Sequence, residues 1–306
     1  MALSTKIIRR RIRSVRNTKK ITKAMELVSA SKMRRSVNAV LSSRSYAHTA
    51  FGAVLNISKR ISGAMHPLLA SKNSAKKACY ILMSSNRGLC GGFNAQVIAK
   101  GIKYAEAKKG IQNDWIILGK KGGEALARNK KNIFAEFIKP DVVGTVSDIT
   151  AIAKMATEGF LHGTYDEVFI IYTDFVSALK QEAKVKKLLP FSLQQDESLG
   201  FVQEEKKEKL KIDALDPLYH EEYSFEPRPE IVLDFFLKRL IDVQMYQALL
   251  ESTASEHAAR MLAMRQASDA ATDMIDDLTL IYNQARQASI TREIAEISGG
   301  KAALER

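Results

Sequence analysis

Proline is absent from the first 62 residues of this 306-residue chain, and glycine occurs there only as Gly52. From Glu230 to Ser298 a run of 69 residues has neither. All six prolines and 13 of the 16 glycines lie between these ends. The two residue types that punctuate a chain are therefore confined to its middle. Loops and tight turns are excluded from both ends, since turns draw on Gly and Pro for their backbone angles. A mean helix is only ~11–12 residues. At 1.5 Å per residue the C-terminal run alone would reach on the order of 100 Å as a helix. The ends read as a rod and the middle as a globule.

Cysteine is nearly absent. Cys79 and Cys90 form no CxxC pair and no metal-ligand spacing, so the expectation is two reduced thiols. No apolar run approaches the ~18 residues that span a bilayer, and no signal-peptide core is found. Aromatics do not begin until Tyr46. The N-terminal segment therefore lacks the stacking platform common in binders of single-stranded nucleic acid. Acids are also scarce there: residues 1–66 hold 15 Lys/Arg and one acid, Glu26. This basic, acid-poor start has the composition of a transit peptide, but the helical pattern continues smoothly past it, so a structural segment is expected. Residues 230–306 carry eight bases and twelve acids. The net charge of +13 thus belongs mainly to the N-terminal segment. Nucleic acid, an anionic membrane, an acidic protein surface or the C-terminal segment would each suit it.

What is present is helical periodicity. Ile8, Ile12 and Val15, then Ile21, Met25 and Val28, recur at spacings of three and four. They predict a helix from about Leu3 to Ser62 with one apolar stripe. After Pro227-Arg228-Pro229, where proline suits a helix start, a second stripe thins to His257, Met261, Met264, Ala271, Ile275, Leu278, Tyr282 and Ala285. Its spacing approaches a coiled-coil seam. This helix is expected to stop at Gly299-Gly300. The two ends predict a long antiparallel coiled coil, with N-terminal helix 1–66 and C-terminal helix 227–306. Between them, 67–226 predicts a central Rossmann-like α/β domain: strands at 78–85, 114–119, 133–138 and 167–173 alternate with helices at 94–109, 121–129 and 146–159, so the sheet should be mostly parallel. Residues 192–217 read as a polar loop.

Candidate chemistry is thin. Arg87-Gly88-Leu89-Cys90-Gly91-Gly92-Phe93-Asn94 lies where a strand meets a helix, the place doubly wound sheets use for phosphates. It matches neither GxGxxG nor GxxxxGK[ST], so a tight turn is the expectation. Cys90 has no base at hand for nucleophilic catalysis. Ser298-Gly299-Gly300-Lys301 lacks the hydroxyl of a P-loop and follows a helix instead of a strand. His220-Glu221-Glu222 is not a zinc motif, and His257 on the seam reads as a packed or partner-facing residue. No active site and no cofactor are expected.

Specific strings carry a resemblance. They run from Ile12 to Glu26 (IRSVRNTKKITKAME) and on through Ala30-Ser31-Lys32-Met33. In the middle there is Asn86–Asn94 (NRGLCGGFN). At the C-terminus they are Ser255–Met261 (SEHAARM) and Tyr282–Ile297 (YNQARQASITREIAEI). In this order they resemble the gamma-subunit family of F-type ATP synthases, over the whole chain. The resemblance implies a non-catalytic rotor shaft. It would transmit torque between the proton-driven c-ring and the alpha3/beta3 catalytic head, with delta and epsilon as further partners. It would be peripheral, at the cytoplasmic face of the plasma membrane. It implies partner contacts at Lys23, Met25, Arg260, Arg286, Gln287 and Thr291. The chain departs from the family where Lys301 follows Gly300, which bears on the tip contact. The polar stretch at 196–211 is longer than the family's. The extra cysteine pair of the plant-plastid version is missing, so redox control is not expected. The alternative from the residues alone is a basic coiled-coil nucleic-acid-binding protein.

Overall fold

In the computed structural model, residues 5–60, 66–70, 75–108, 110–191, 226 and 228–304 are described. Ten elements follow one another: α1 Thr5–Arg60, β1 Lys77–Met83, α2 Phe93–Ala107, β2 Gln112–Leu118, α3 Lys120–Arg128, β3 Asn132–Phe137, α4 Ser147–Leu161, β4 Glu167–Phe175, β5 Gln181–Leu189 and α5 Pro229–Leu304. The chain divides into two compact units. One comprises Met1–Val28 with Met261–Arg306, the other Ser29–Arg260. Both limits fall inside a long helix, whereas the division made from the sequence falls between helix and globule. The reason is that the second half of α1 and the first half of α5 bury side chains in the core of the sheet domain.

The larger unit is built on a five-stranded sheet of order β3-β2-β1-β4-β5. Strands β1 to β4 run parallel, and β5 pairs antiparallel with β4. Central strands such as KACYILM are buried on both faces, as parallel strands covered by helices must be. Alternation sorts their residues into two cores. Tyr80, Trp115 and Phe169 face α2 and α3. Tyr80 stacks on Trp115 at 5.0 Å and on Phe169 at 5.3 Å between ring centroids. Ile81, Met83, Ile116, Ile170 and Tyr172 face the other way, in one core with residues of α4 (Ile149, Ile152), α1 (Val40, Ala50) and α5 (Leu233, Leu237, Ile241, Leu249). The dense apolar start of α5 thus belongs to the sheet domain.

In the smaller unit, α1 and α5 pair antiparallel. Glu26 meets Arg265 and Thr22 meets Ser268, so rising numbers on one helix meet falling numbers on the other. No helix of the described residues is long and apolar enough to cross a membrane.

Three expectations need correction. The α1 stripe holds at Ile8 and Ile12, which are buried, but Ile21 is 61% and Val28 55% exposed. Thr22, Glu26 and Ser29 are buried instead. A continuous helix advances 100° per residue, so an inward face that passes through Ile8 and Ile12 arrives at these polar positions. Second, α5 does not stop at Gly299-Gly300 but continues to Leu304. A glycine costs a helix about 1 kcal/mol relative to alanine without forbidding it. Third, β5 was not expected from the sequence. Its three lysines, Lys184, Lys186 and Lys187, mask the strand pattern, and as a half-buried edge strand it tolerates them. The loop expected at 192–217 and His220-Glu221-Glu222 lie outside the described residues.

Candidate functional surfaces

The smaller unit carries a basic groove at the helix pair. Arg13, Arg16, Lys19, Lys20 and Lys23 of α1 line it on one side, and Thr272, Ile275 and Asp276 of α5 on the other; its volume is about 730 Å³. The bases are there because the inward stripe of α1 is narrow, which leaves the remaining positions to Lys and Arg. Lys23 donates to Glu26 Oε2 at 2.9 Å, and Arg265 Nε stands 3.8 Å from Glu26 Oε1. One acid thus serves two cations from two helices. Met25, next to it, is half-buried. The Thr22 and Ser268 hydroxyls are 2.7 Å apart within the seam.

Farther along α5, Arg286, Gln287 and Thr291 are all exposed. Thr291 Oγ1 donates back to the Gln287 carbonyl at 3.0 Å. Gln287 and Thr291 therefore share a face one turn apart, with Arg286 beside them.

Arg260 is placed differently from the other five expected contact residues. It lies in the larger unit and is 9% exposed. Its Nη2 donates to Glu256 Oε1 at 2.9 Å and lies 3.4 Å from the carbonyl oxygens of both Arg87 and Gly88. The glycine turn is a closed piece of structure. Leu89 and Gly91 take positive φ values of 63° and 54°. The Ser85 hydroxyl donates to the Arg87 carbonyl at 2.6 Å, the Ser85 amide donates to Asn94 Oδ1 at 3.0 Å, and Asn94 Nδ2 donates to Cys90 Sγ at 3.2 Å. At the strand end where other doubly wound sheets hold a phosphate, this domain places an arginine of its own long helix.

Burial and neighbouring charge set the titration of this region. Burial pushes the Glu256 carboxyl up, but Lys139 and Arg260 outweigh it and hold the group below the usual glutamate value. His257 is held below the usual imidazole value, first by burial and then by the cations, against the pull of Glu256 and of the Asp141 carbonyl. Burial, with Asp114 nearby, pushes the Cys79 thiol up to about 12. Among the described residues no cluster of three or more His, Cys, Asp or Glu is arranged to hold a metal ion. Lys139 and Glu256 did not emerge from the sequence, because their 117-residue separation leaves no local pattern. The available signal was a lone acid within SEHAARM.

The family model described as ATP synthase matches residues 4–304. The chain is 40% identical over 304 residues to the ATP synthase gamma chain of Roseiflexus castenholzii, covering 98% of each. It is 40% identical over 302 residues to that of Pelotomaculum thermopropionicum, covering 99% of each. Among solved structures, a chain of the central stalk and c-ring of Tetrahymena thermophila mitochondrial ATP synthase aligns with a TM-score of 0.58 at 25% identity. That alignment covers 81% of this chain and 99% of the other. A chain of the Euglena gracilis mitochondrial ATP synthase shares the fold, with a TM-score of 0.65 at 18% identity and 98% and 94% coverage.

Proposed function

The chain belongs to the family of ATP synthase gamma chains, and on that premise we propose that it is the non-catalytic central-stalk rotor of an F1Fo ATP synthase. It transmits torque between a proton-driven c-ring and an alpha3/beta3 catalytic head. One observation carries the reading beyond the family match: α1 and α5, unbroken over 56 and 76 residues, each contribute to both compact units. A hydrogen-bonded helix resists twist, whereas a flexible linker would dissipate it. The nucleic-acid alternative finds no support in the family or in the structural relatives.

The basic groove would meet acidic loops of the catalytic subunits, where complementary charge is made and broken as the shaft turns. Lys23, Met25, Arg286, Gln287 and Thr291 would supply contacts there. Delta and epsilon would complete the stalk, at the cytoplasmic face of the plasma membrane. Affinity changes at the catalytic sites would follow because the shaft biases conformations that bind nucleotide differently. The test is reconstitution. The purified chain alone should hydrolyse no ATP; added to alpha and beta subunits, it should form a complex whose ATP hydrolysis drives rotation of a bead fixed to this chain. ATPase activity of the isolated chain that is lost on substituting Arg87 or Cys90 would overturn the reading.

A further inference from the structure

Lys139, in the loop after β3, is 2% exposed. Its Nζ donates to Glu256 Oε2 at 2.8 Å, so the carboxylate is gripped on both oxygens, by Lys139 on one and Arg260 on the other. The lysine backbone is fixed independently. Its amide donates to Asn86 Oδ1 at 3.2 Å, and its carbonyl accepts from Asn86 Nδ2 at 2.6 Å. The Lys139 ammonium also lies 5.5 Å from the centroid of the Phe93 ring. One helix turn thereby joins the loop after β3 to the start of the glycine turn, and the same lysine lies against Phe93 at its far end.

Energy alone does not account for this cluster. A buried ion pair must repay the desolvation of both charges, and well-packed apolar residues of similar volume often do as well or better. Charges add a directional requirement. Each step along α5 rotates a side chain by 100° and advances it by about 1.5 Å, so one setting of the helix places Glu256 against Lys139 while Arg260, carried one turn on along the same helix, reaches the Arg87 and Gly88 carbonyls. The neighbouring buried residues on this stretch of α5 include Ser252, Ala254, Ser255 and Ala258, whose short side chains offer little interlocking relief against rotation or sliding. Beside the charged cluster, Ser255 and His257 each reach one backbone carbonyl, of Thr173 and Asp141, at 3.2 Å.

We propose that Lys139, Glu256 and Arg260 form a latch that sets the azimuth and axial register of α5 on the sheet domain, so that torque passes between them without slip. The three are positioning residues, and the proposal rests on the rotor reading. It is tested in membrane vesicles holding the complete F1Fo complex assembled with this chain, by measuring ATP-driven proton uptake per ATP hydrolysed. Assembly is scored from the alpha and beta content of the vesicles. Lys139→Met and Glu256→Gln should lower the ratio by about two- to thirtyfold, the span expected for substitutions along a coupling network. Lys139→Arg should retain it. The apolar triple Lys139→Met/Glu256→Leu/Arg260→Met, which leaves no buried charge of the cluster unpaired, discriminates: it should melt at or above the wild-type temperature as a full-length chain, yet keep the lowered ratio. An apolar triple that pumps like the wild type would overturn the latch, because packing would then suffice. So would variants that fail to assemble when the unaltered chain assembles. Absence of coupled pumping with the unaltered chain would overturn the rotor reading, and the latch with it.

Discussion

Glu26 and Glu256 are each a lone acid between cations, and they do different work. Glu26 is shared by Lys23 and Arg265 and is the only acid in the first 66 residues. A further cation beside it finds no other acid on α1. Met25→Lys should therefore leave assembly with alpha and beta intact but lower ATP-driven proton pumping more than ATP hydrolysis. Equal losses of pumping and hydrolysis would contradict this. Glu256 and its neighbour His257 both have lowered pKa values in the folded chain. For both groups the unfolded chain binds more protons, so stability rises with pH. The His257 contribution should be complete above its unfolded pKa of about 6.5 and fall away as pH drops toward its lower folded value. The Glu256 contribution should go next, below about 4.3. Melting temperatures measured from pH 8 to pH 2 should fall in that order, and His257→Gln should flatten the upper step, leaving the part due to His66, which burial also holds below the usual imidazole value, and leave the lower step unchanged. A steeper fall in the variant would show that another group titrates there.

At the scale of elements, glycine separates the long helices from the sheet domain. Gly119, between β2 and α3, has φ of +105°, and a Cβ there would sit 2.4 Å from the Ser84 carbonyl oxygen. The close approach lets Gly119 and Ser84 join the ends of neighbouring strands; Ser84 Oγ donates to the Gly119 carbonyl at 2.8 Å. Gly119→Ala combines backbone strain with a clash against main chain and should destabilise the domain by about 2–4 kcal/mol. Urea unfolding followed by Trp115 fluorescence would measure it, and a loss below 1 kcal/mol would mean the turn relaxes easily. The strands and helices of this domain were legible because each carries its own period and its own turn residues. Edge strand β5 was not, since its lysines answer to the sheet edge and not to a local pattern. The register of α1 past Ile12 was also hidden. Ile21 and Val28 continue an apolar spacing, but the helix turns polar Thr22, Glu26 and Ser29 inward, the first two against α5.

For the whole molecule, stiffness is the property on which the rotor depends. Ala270 is exposed in the middle of α5, so its side chain can be changed without touching the seam. Ala270→Pro removes a helix hydrogen bond and clashes with the preceding turn, at a cost of about 3 kcal/mol, whereas Ala270→Gly costs about 1. The proline variant should keep the sheet domain folded, as read from Trp115 fluorescence, and should lose coupled proton pumping. The glycine variant should retain most of it. Coupled pumping at the wild-type level with proline at 270 would mean that an unbroken α5 is unnecessary.

The chain by itself determined the two long helices, the alternating middle, the segregated charge and, through its motif strings, the family. Those features are local or compositional, and helical period, turn chemistry and charge act over a few residues. Only tertiary structure decided which residues of each helix face inward, where the sheet ends in an antiparallel edge, and that Arg260 turns in toward the glycine turn while Arg286 stays exposed. Arg260 and Arg286 are both arginines on one continuous helix. What separates them is burial against partners from distant parts of the chain: Glu256 lies one turn away, but Arg87, Gly88 and Lys139 come together with it only on folding.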